Sequence, residues 1–277
     1  MKVSVITTVK NGVATLRTCL QSVACQHRCS PRGREFEIEQ VVVDGLSTDG
    51  SLDLVREYPE TVRQLVSEQD GGIYDGMNKG LRLATGEVAG FLNADDFFFC
   101  PDALGRVVDA FSDGVDTCYG QVAYVDPAEP NRILRIWPET SYRRLRFRYG
   151  WMPPHPTFYV RLDLYRQFGS MRLDLGSAAD YELMLRFLYR HRLSSACIPG
   201  FWVAMRLGGA SNATVRNRVR ANHFDRQAWK VNGISPFPGF RVLKPMRKIP
   251  QFWLPPPPVI QRQLTSFLEE TGSVSSP

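Results

Sequence analysis

Cysteine is scarce in this chain, with six among 277 residues, and the six form no paired framework of the kind that staples small secreted domains. No stretch approaches the ~18 unbroken apolar residues that a membrane-spanning helix needs. The opening run Met1–Val9 is short and rich in hydroxyls, so it reads as a buried strand rather than a secretory leader. The expected location is therefore the cytoplasm. The first strand is followed by Thr8-Val9-Lys10-Asn11-Gly12 rather than GxGxxG, which argues against a dinucleotide site of Rossmann type. A GxxxxGK(S/T) phosphate loop is also missing. Cys25, His27 and Cys29 lie close together with no second ligand pair elsewhere, which favours free thiols over a zinc site. Asn212-Ala213-Thr214 fits a glycosylation acceptor, a chance match in a chain expected to lack a secretory signal.

Acidic residues are nearly absent from one region. Residues 206–248 hold ten Lys/Arg against the single Asp225, and residues 132–148 hold six Arg against Glu139. With a net charge of +6 for the whole chain, the remainder is acidic by −8. An acidic part suits a cation site, and a basic part suits an anionic partner. A content of 43% hydrophobic and 22% charged residues excludes general disorder and suits one large α/β domain or two joined halves.

The first hundred residues alternate between strand-like and helix-like segments. Val3–Val9, Glu39–Val43, Val62–Val66 and Val88–Leu92 read as strands. Val13–Gln26, the stretch after Ser47-Thr48-Asp49, and Ile73–Leu83 read as helices. Such an order implies a mostly parallel sheet, and ligands of such sheets bind beyond the carboxyl ends of the strands. Asp44, Asp70 and Asp95-Asp96 each follow a strand directly. Further on, the pattern predicts a helix at Ala103–Phe111, strands at Thr117–Val125 and Arg132–Trp137, a helix at Tyr181–Tyr189 and a last strand at Phe201–Met205. The polyproline stretch Pro255–Pro258 predicts a mobile end over the last ~20 residues.

Three clusters carry chemistry. Phe91-Leu92-Asn93-Ala94-Asp95-Asp96 sets two adjacent carboxylates at the end of an apolar strand. Adjacent side chains on extended chain point to opposite sides, so one metal rarely takes both directly. That arrangement suits Mg²⁺ or Mn²⁺, which accepts one or two carboxylates and completes its shell with water and phosphate. The competing role for this pair is a helix cap, several residues too early for the segment after Pro101. Asp44-Gly45-Leu46-Ser47-Thr48-Asp49-Gly50 offers a strand-end carboxylate for a nucleoside N–H or ribose hydroxyl, with Ser47 and Asp49 as helix caps. Ser67–Gly80 adds glycines that let backbone approach a ligand, and Lys79 to face phosphate.

In this order the clusters resemble the family 2 glycosyltransferases, whose nucleotide-sugar-binding half has a GT-A fold. The matching stretches are Thr7–Asn11, Asp44–Gly50, Gly72–Gly80 and Asn93–Asp96. Leu46 and Gly76 depart from the pattern, where Gly and Ala are common. The resemblance is dense over residues 1–100 and thinner to about 205. It implies an α/β GT-A fold: a mixed, mostly parallel central sheet flanked by helices, with a helical basic C-terminal extension. The expected halves are 1–105 for the donor and 106–205 for the acceptor, followed by the extension 206–277.

By the same resemblance, Asp44 contacts the donor base, Asp95 the ribose or metal, and Asp96 the metal that bridges the diphosphate. Thr8, Asn11, Asp75, Asn78, Lys79 and His155 join the donor site. Asp180 of Ser177-Ala178-Ala179-Asp180 stands where the family has its catalytic base. Ser177-x-x-Asp180 is equally a capping-box spacing, and His155 between prolines is equally a rigid-turn residue. The implied activity is a metal-dependent inverting glycosyl transfer with Mn²⁺ or Mg²⁺, from a nucleotide-diphosphate sugar to a glycan or lipid-linked acceptor. Nucleic acid is not an expected partner. The alternatives are a nucleotidyltransferase, which normally carries a phosphate loop after the first strand, and a non-catalytic nucleotide-sugar-binding module. Residues 206–248, with Trp229, Phe237, Phe240, Phe252 and Trp253 among or just beyond the charges, are expected to meet an anionic membrane surface peripherally or to pack on the acidic half.

Overall fold

β1 (Lys2–Val9) is buried from Val3 onward, as its near-continuous apolar and hydroxyl run requires of a strand covered on both faces. α1 (Val13–Ala24) follows, with Leu16, Cys19, Leu20 and Val23 on its inner stripe. β2 (Glu37–Asp44), α2 (Ser51–Arg56) and β3 (Val62–Ser67) come next. β3 alternates half-buried and exposed residues, the pattern of an edge strand. α3 (Ile73–Leu83) returns the chain to β4 (Val88–Phe91). The computed structural model describes residues 1–138, 141–208, 215–235, 237, 239–247, 251 and 253–272, with backbone alone for 215–222, 241, 242 and 245. The sequon at Asn212 and the tail's Phe252 lie outside the described residues.

The second half is more irregular. β5 (Asp96–Phe98), α4 (Ala103–Ser112), β6 (Thr117–Val125) and β7 (Ile133–Trp137) lead to a 3-10 helix at Arg144–Tyr149. Then come β8 (Tyr159–Arg161), α5 (Leu162–Phe168), α6 (Ala179–Met184) with its π-turn Leu185–Arg190, and β9 (Ser195–Arg206). α7 (Val215–Val231), α8 (Phe240–Met246) and α9 (Pro258–Glu270) complete the chain. The strand order is β3-β2-β1-β4-β8-β6-β9-β5, with β7 beside β6. β1, β2, β3 and β4 pair in parallel, as does β6 with β9. The other pairings, through β5, β7 and β8, are antiparallel, so the parallel character expected of the whole sheet belongs mainly to its first half.

α3 lies close enough on β1 that a Cβ at Gly80 would sit 2.3 Å from the Ile6 methyl. The glycine therefore sets the distance between the helix and the strand end. A buried polar hub ties the second half together. The Arg186 guanidinium donates to the carbonyls of Phe168, Gly169 and Ser170 and to both Glu182 oxygens, while Asn232 donates to Glu182 at 3.0 Å. A buried charge needs such complete pairing, since its desolvation is costly otherwise.

The C-terminal extension is helical, as expected, but it is not a loose tail. Trp229 and Phe240 are buried against Tyr181 and Tyr189. Lys244 pairs with Asp225 at 2.6 Å and lies 3.5 Å over the Tyr181 ring. Instead of the mobile end expected after the prolines, α9 buries Ile260, Leu264 and Leu268 against Phe97, Val125 and Ile136. Its apolar residues recur every four positions, which is a sufficient reason for a packed helix.

Candidate active site

Every strand-end cluster falls at one edge of the parallel strands. Val9 pairs with Asp44, Asp44 with Ser67, and Ile6 with Phe91. The Asp44 carboxylate is fully buried. Its Oδ2 accepts from the Ser47 N–H at 3.0 Å and the Ser67 hydroxyl at 2.6 Å, and its Oδ1 has no partner. At the end of β1 the Thr8 hydroxyl is likewise buried and unpaired, and a Cβ on Gly76 would stand 3.0 Å from its methyl. Buried polar groups normally find partners, so orphans gathered at strand ends mark the place where a polar ligand fits.

The turn beside Asp44 is built to hold this shape. Asn11 has φ 50° and Leu46 φ 62°, both in the left-handed region. Leu46 carries a cost of ~1–2 kcal/mol there that glycine would avoid, which explains why the departure at this position is tolerated yet unfavourable. Asn11 donates its N–H to the Ser47 hydroxyl and accepts the Thr48 N–H at 2.9 Å, clasping the two loops. Gly12 and Gly50, not Asp49, are the N-cap residues of α1 and α2, but Asp49 accepts the N–H groups of the first residue of each helix, Val13 and Ser51. Ser47 does not cap; it serves the clasp.

Three expected donor contacts take structural places instead. Asn78 is buried with both ends of its amide on the Met171 backbone, at 2.9 Å each, which ties α3 to the second half. Lys79 donates to the Gln69 carbonyl at 2.6 Å and pairs with Glu68 at 2.9 Å, which neutralises it within the loop before α3. Asp75 accepts the Gly71 N–H and faces Lys79. Together they brace the loop that carries Asp70 and Tyr74.

Asp95 and Asp96 follow β4 and differ sharply in setting. Asp96 opens β5, is 1% exposed, and its Oδ2 has no partner. Burial, followed by the Asp95 charge, pushes the Asp96 carboxyl well above the usual range. Burial also raises Asp95, against the pull of Arg206. The Arg206 guanidinium, at the end of β9, donates to the Asp95 carbonyl at 2.7 Å. The helix-cap role is not realised, because the next helix begins at Ala103.

Asp180 and His155 come from the second half. Asp180 is the second residue of α6, whose start has no side-chain cap, and Ser177 is exposed. The capping-box alternative is therefore absent, and the Asp180 carboxylate accepts from its own neighbour, the Tyr181 N–H, at 2.7 Å. The Tyr74 phenol faces Asp180; burial and then that charge hold the phenol well above its usual range. His155 stacks on Phe91 with ring centroids 5.7 Å apart, and its Nε2 is buried and unpartnered. Burial lowers the imidazole pKa while Asp180 pulls it back up. Tyr124, pushed up to about 12 chiefly by burial, is raised further by both Asp96 and Asp180.

Tyr74, Ser67 and Arg206 were not legible as site residues. Tyr74 and Ser67 stood inside the clusters without a signal for their direction. Arg206 merely closed a strand run, and nothing in sequence shows it reaching across β5.

The residues fit a hard divalent cation. Asp96 presents an orphan oxygen in a pocket that penalises its charge, and Asp95 adds a second carboxylate. Among the described residues no cluster of three or more His, Cys, Asp or Glu forms a protein cage. Two carboxylates completed by phosphate oxygens and water is the pattern for Mg²⁺ or Mn²⁺.

Comparison with known proteins agrees with this geometry. The family described as Glycosyl transferase family 2 matches residues 4–167. An uncharacterized glycosyltransferase of Mycobacterium tuberculosis is 32% identical over 188 residues, covering 66% of this chain and 68% of that one. A PGL/p-HBAD biosynthesis glycosyltransferase of Mycobacterium bovis is 30% identical over 197 residues, with the same shares. Among solved structures, S. aureus TarS 1-349 in complex with UDP has a TM-score of 0.57 at 20% identity, covering 82% of this chain and 65% of that one. The mannosyltransferase PcManGT from Pyrobaculum calidifontis, in complex with GDP-Man and Mn2+, has a TM-score of 0.56 at 19% identity, covering 99% and 76%. These likenesses give the GT-A glycosyltransferase fold. By its family match and by relatives aligned over two thirds of their length, the chain belongs to glycosyl transferase family 2.

Proposed function

We propose that this glycosyltransferase moves a sugar from a nucleoside-diphosphate sugar to an acceptor hydroxyl with inversion, with Asp180 as the base. The observation that carries the reading is the pair of a partly buried Asp180 carboxylate at the start of α6, in no capping role, and the orphan oxygen of Asp96 after β4. In this reading the unpaired Asp44 Oδ1 accepts a base N–H or ribose hydroxyl of the donor, and the Thr8 hydroxyl supplies a second polar contact. Neighbours of this fold solved with UDP, UDP-GlcNAc and GDP-Man support a nucleotide-sugar donor.

Asp96 and Asp95 would hold Mn²⁺ or Mg²⁺, whose chemistry is to neutralise the negative charge of the diphosphate. Asp180 takes the proton of the acceptor hydroxyl while that oxygen forms a bond to the anomeric carbon. The bond from that carbon to the diphosphate oxygen breaks on the opposite face, releasing nucleoside diphosphate. Tyr74 holds the Asp180 carboxylate in direction from the donor side. His155, with a pKa lowered by burial, offers its unpartnered Nε2 to a diphosphate oxygen or to an acceptor hydroxyl. The acceptor is a glycan or lipid-linked glycan, a role in assembly that the relatives named for PGL/p-HBAD biosynthesis support.

The test is product analysis with a panel of nucleotide sugars and Mn²⁺. Acceptor-dependent release of free nucleoside diphosphate, with the anomeric configuration of the product opposite to that of the donor, is expected. Pyrophosphate release would favour a nucleotidyltransferase, and binding without any release a non-catalytic module.

A further inference from the structure

The basic extension was expected to meet a membrane through its aromatic residues. Trp229 and Phe240 are excluded from that role by their burial. The exposed large apolar side chains nearby form a different surface. Phe147 of the 3-10 helix Arg144–Tyr149 is buried against Tyr181, next to the proposed base. Two residues to either side of it, Leu145 is 61% exposed and Tyr149 47% exposed. The Tyr149 ring meets that of Phe237, 40% exposed, with centroids 5.4 Å apart. α8 closes on the same element, since a Cβ at Gly150 would lie 2.5 Å from the Lys244 Cα. Lys244 faces inward on Tyr181 and Asp225. Met246 stands two residues later, roughly 200° around the helix, and is 52% exposed.

The charge around this face has one sign. Neither 141–150 nor 237–247 contains an Asp or Glu. Arg143, Arg148 and Arg247 are exposed, and among the described residues no acid pairs with them. Leucine, methionine and aromatic rings projecting among exposed arginines is the chemistry of an interface between headgroups and acyl chains: the rings settle at the boundary and the guanidinium groups meet anionic lipid.

We propose that the outer face of the 3-10 helix, with Phe237 and the end of α8, docks on a bilayer that carries anionic headgroups. The inference rests on the reading of the second half as the acceptor side, because the inner face of the same helix packs beside the residue that follows Asp180. Docking there sets the cleft at the level where a lipid-linked acceptor hydroxyl stands.

The experiment is co-sedimentation of the full chain with phosphatidylcholine vesicles, with and without phosphatidylglycerol, at low and raised salt. Three variants are compared: Arg143→Gln with Arg148→Gln, Tyr149→Ser with Phe237→Ser, and Leu145→Ser alone. All five positions are exposed, and each variant is checked for an unchanged melting temperature and unchanged stabilisation by nucleoside diphosphate with Mn²⁺. The wild type pellets with the anionic vesicles alone and is released by salt. The arginine pair lowers its partition by roughly tenfold or more, as two lost basic contacts require. The aromatic pair lowers it several-fold even at low salt, and Leu145→Ser does so more weakly. Equal recovery of the wild type with neutral and anionic vesicles, or variants that pellet as the wild type does, overturns the proposal. Vesicle binding that follows these variants in a protein that releases no nucleoside diphosphate leaves the surface standing and refutes the transferase reading instead.

Discussion

Cutting the chain after Leu207 distinguishes an appended tail from an integral part of the fold. Such a cut removes Trp229, Phe240, Ile260, Leu264 and Leu268, all buried, and uncovers Tyr181 and Tyr189 on one side and Phe97 on the other. Each large apolar side chain contributes about 1.5–3 kcal/mol on burial, so the five together account for roughly 7–15 kcal/mol. That is as large as the net stability of a typical domain, about 5–15 kcal/mol. Loss of the Trp229 donor to Tyr181 and of Asn232 to Glu182 adds two broken buried hydrogen bonds. The shortened chain, residues 1–207, is expected to lack a cooperative transition in thermal circular dichroism and to lose its near-ultraviolet signal. The milder Trp229→Ala in the full chain should lower stability by about 3–5 kcal/mol in a urea titration. A 1–207 fragment that melts cooperatively near the full chain would refute the packing argument. The cut is therefore unsuited to testing membrane binding, for which point variants serve.

Glu39 gives a prediction in acid. It is raised by burial but held down to about 2 overall by hydrogen bonds from Ser4 and Thr85 and by Lys2. A depressed carboxyl contributes stability above its unfolded pKa and loses it as pH falls from about 4.5 to about 2, here at most about 3 kcal/mol and less where solvent screens Lys2. Urea midpoints of Glu39→Gln across that window should fall less steeply than those of the wild type; parallel curves would contradict the assignment. Asp96 and Asp95 act with the opposite sign, since a raised carboxyl makes the metal-free fold less stable as pH rises through its folded pKa. Mn²⁺ should accordingly raise the melting temperature more at neutral than at acid pH. Asp96→Ala should abolish that gain and the metal-dependent part of nucleoside-diphosphate binding; an unchanged Mn²⁺ response would place the cation elsewhere.

The first half was legible because strand-like and helix-like segments alternate there, so that Asp44, Asp95 and Asp96 could be placed at strand ends directly. β5 and β8 were not, since three residues are too few to show a period. For Asn78 and Lys79 the motif gives residue types but not directions. Asn78 turns inward to the Met171 backbone, and Lys79 is neutralised by Glu68. The packed end of the chain was hidden by the preceding prolines, although Ile260, Leu264 and Leu268 already carried the helical spacing. Asp180 reads as a cap from its spacing and as a base from the family resemblance. The exposed Ser177 and the uncapped start of α6 decide against the capping box.

The central claim is that the Asp180 carboxylate removes the acceptor proton. Steady-state kinetics of Asp180→Asn, beside its melting temperature and its affinity for nucleoside diphosphate with Mn²⁺, test this most directly. The amide keeps the size of the side chain and an acceptor for the Tyr181 N–H. Stability and donor affinity are expected to stay unchanged, with kcat lower by ~10²–10⁴ and the pH dependence of the base removed. A variant that keeps its turnover, or one that loses stability and rate together, would contradict it.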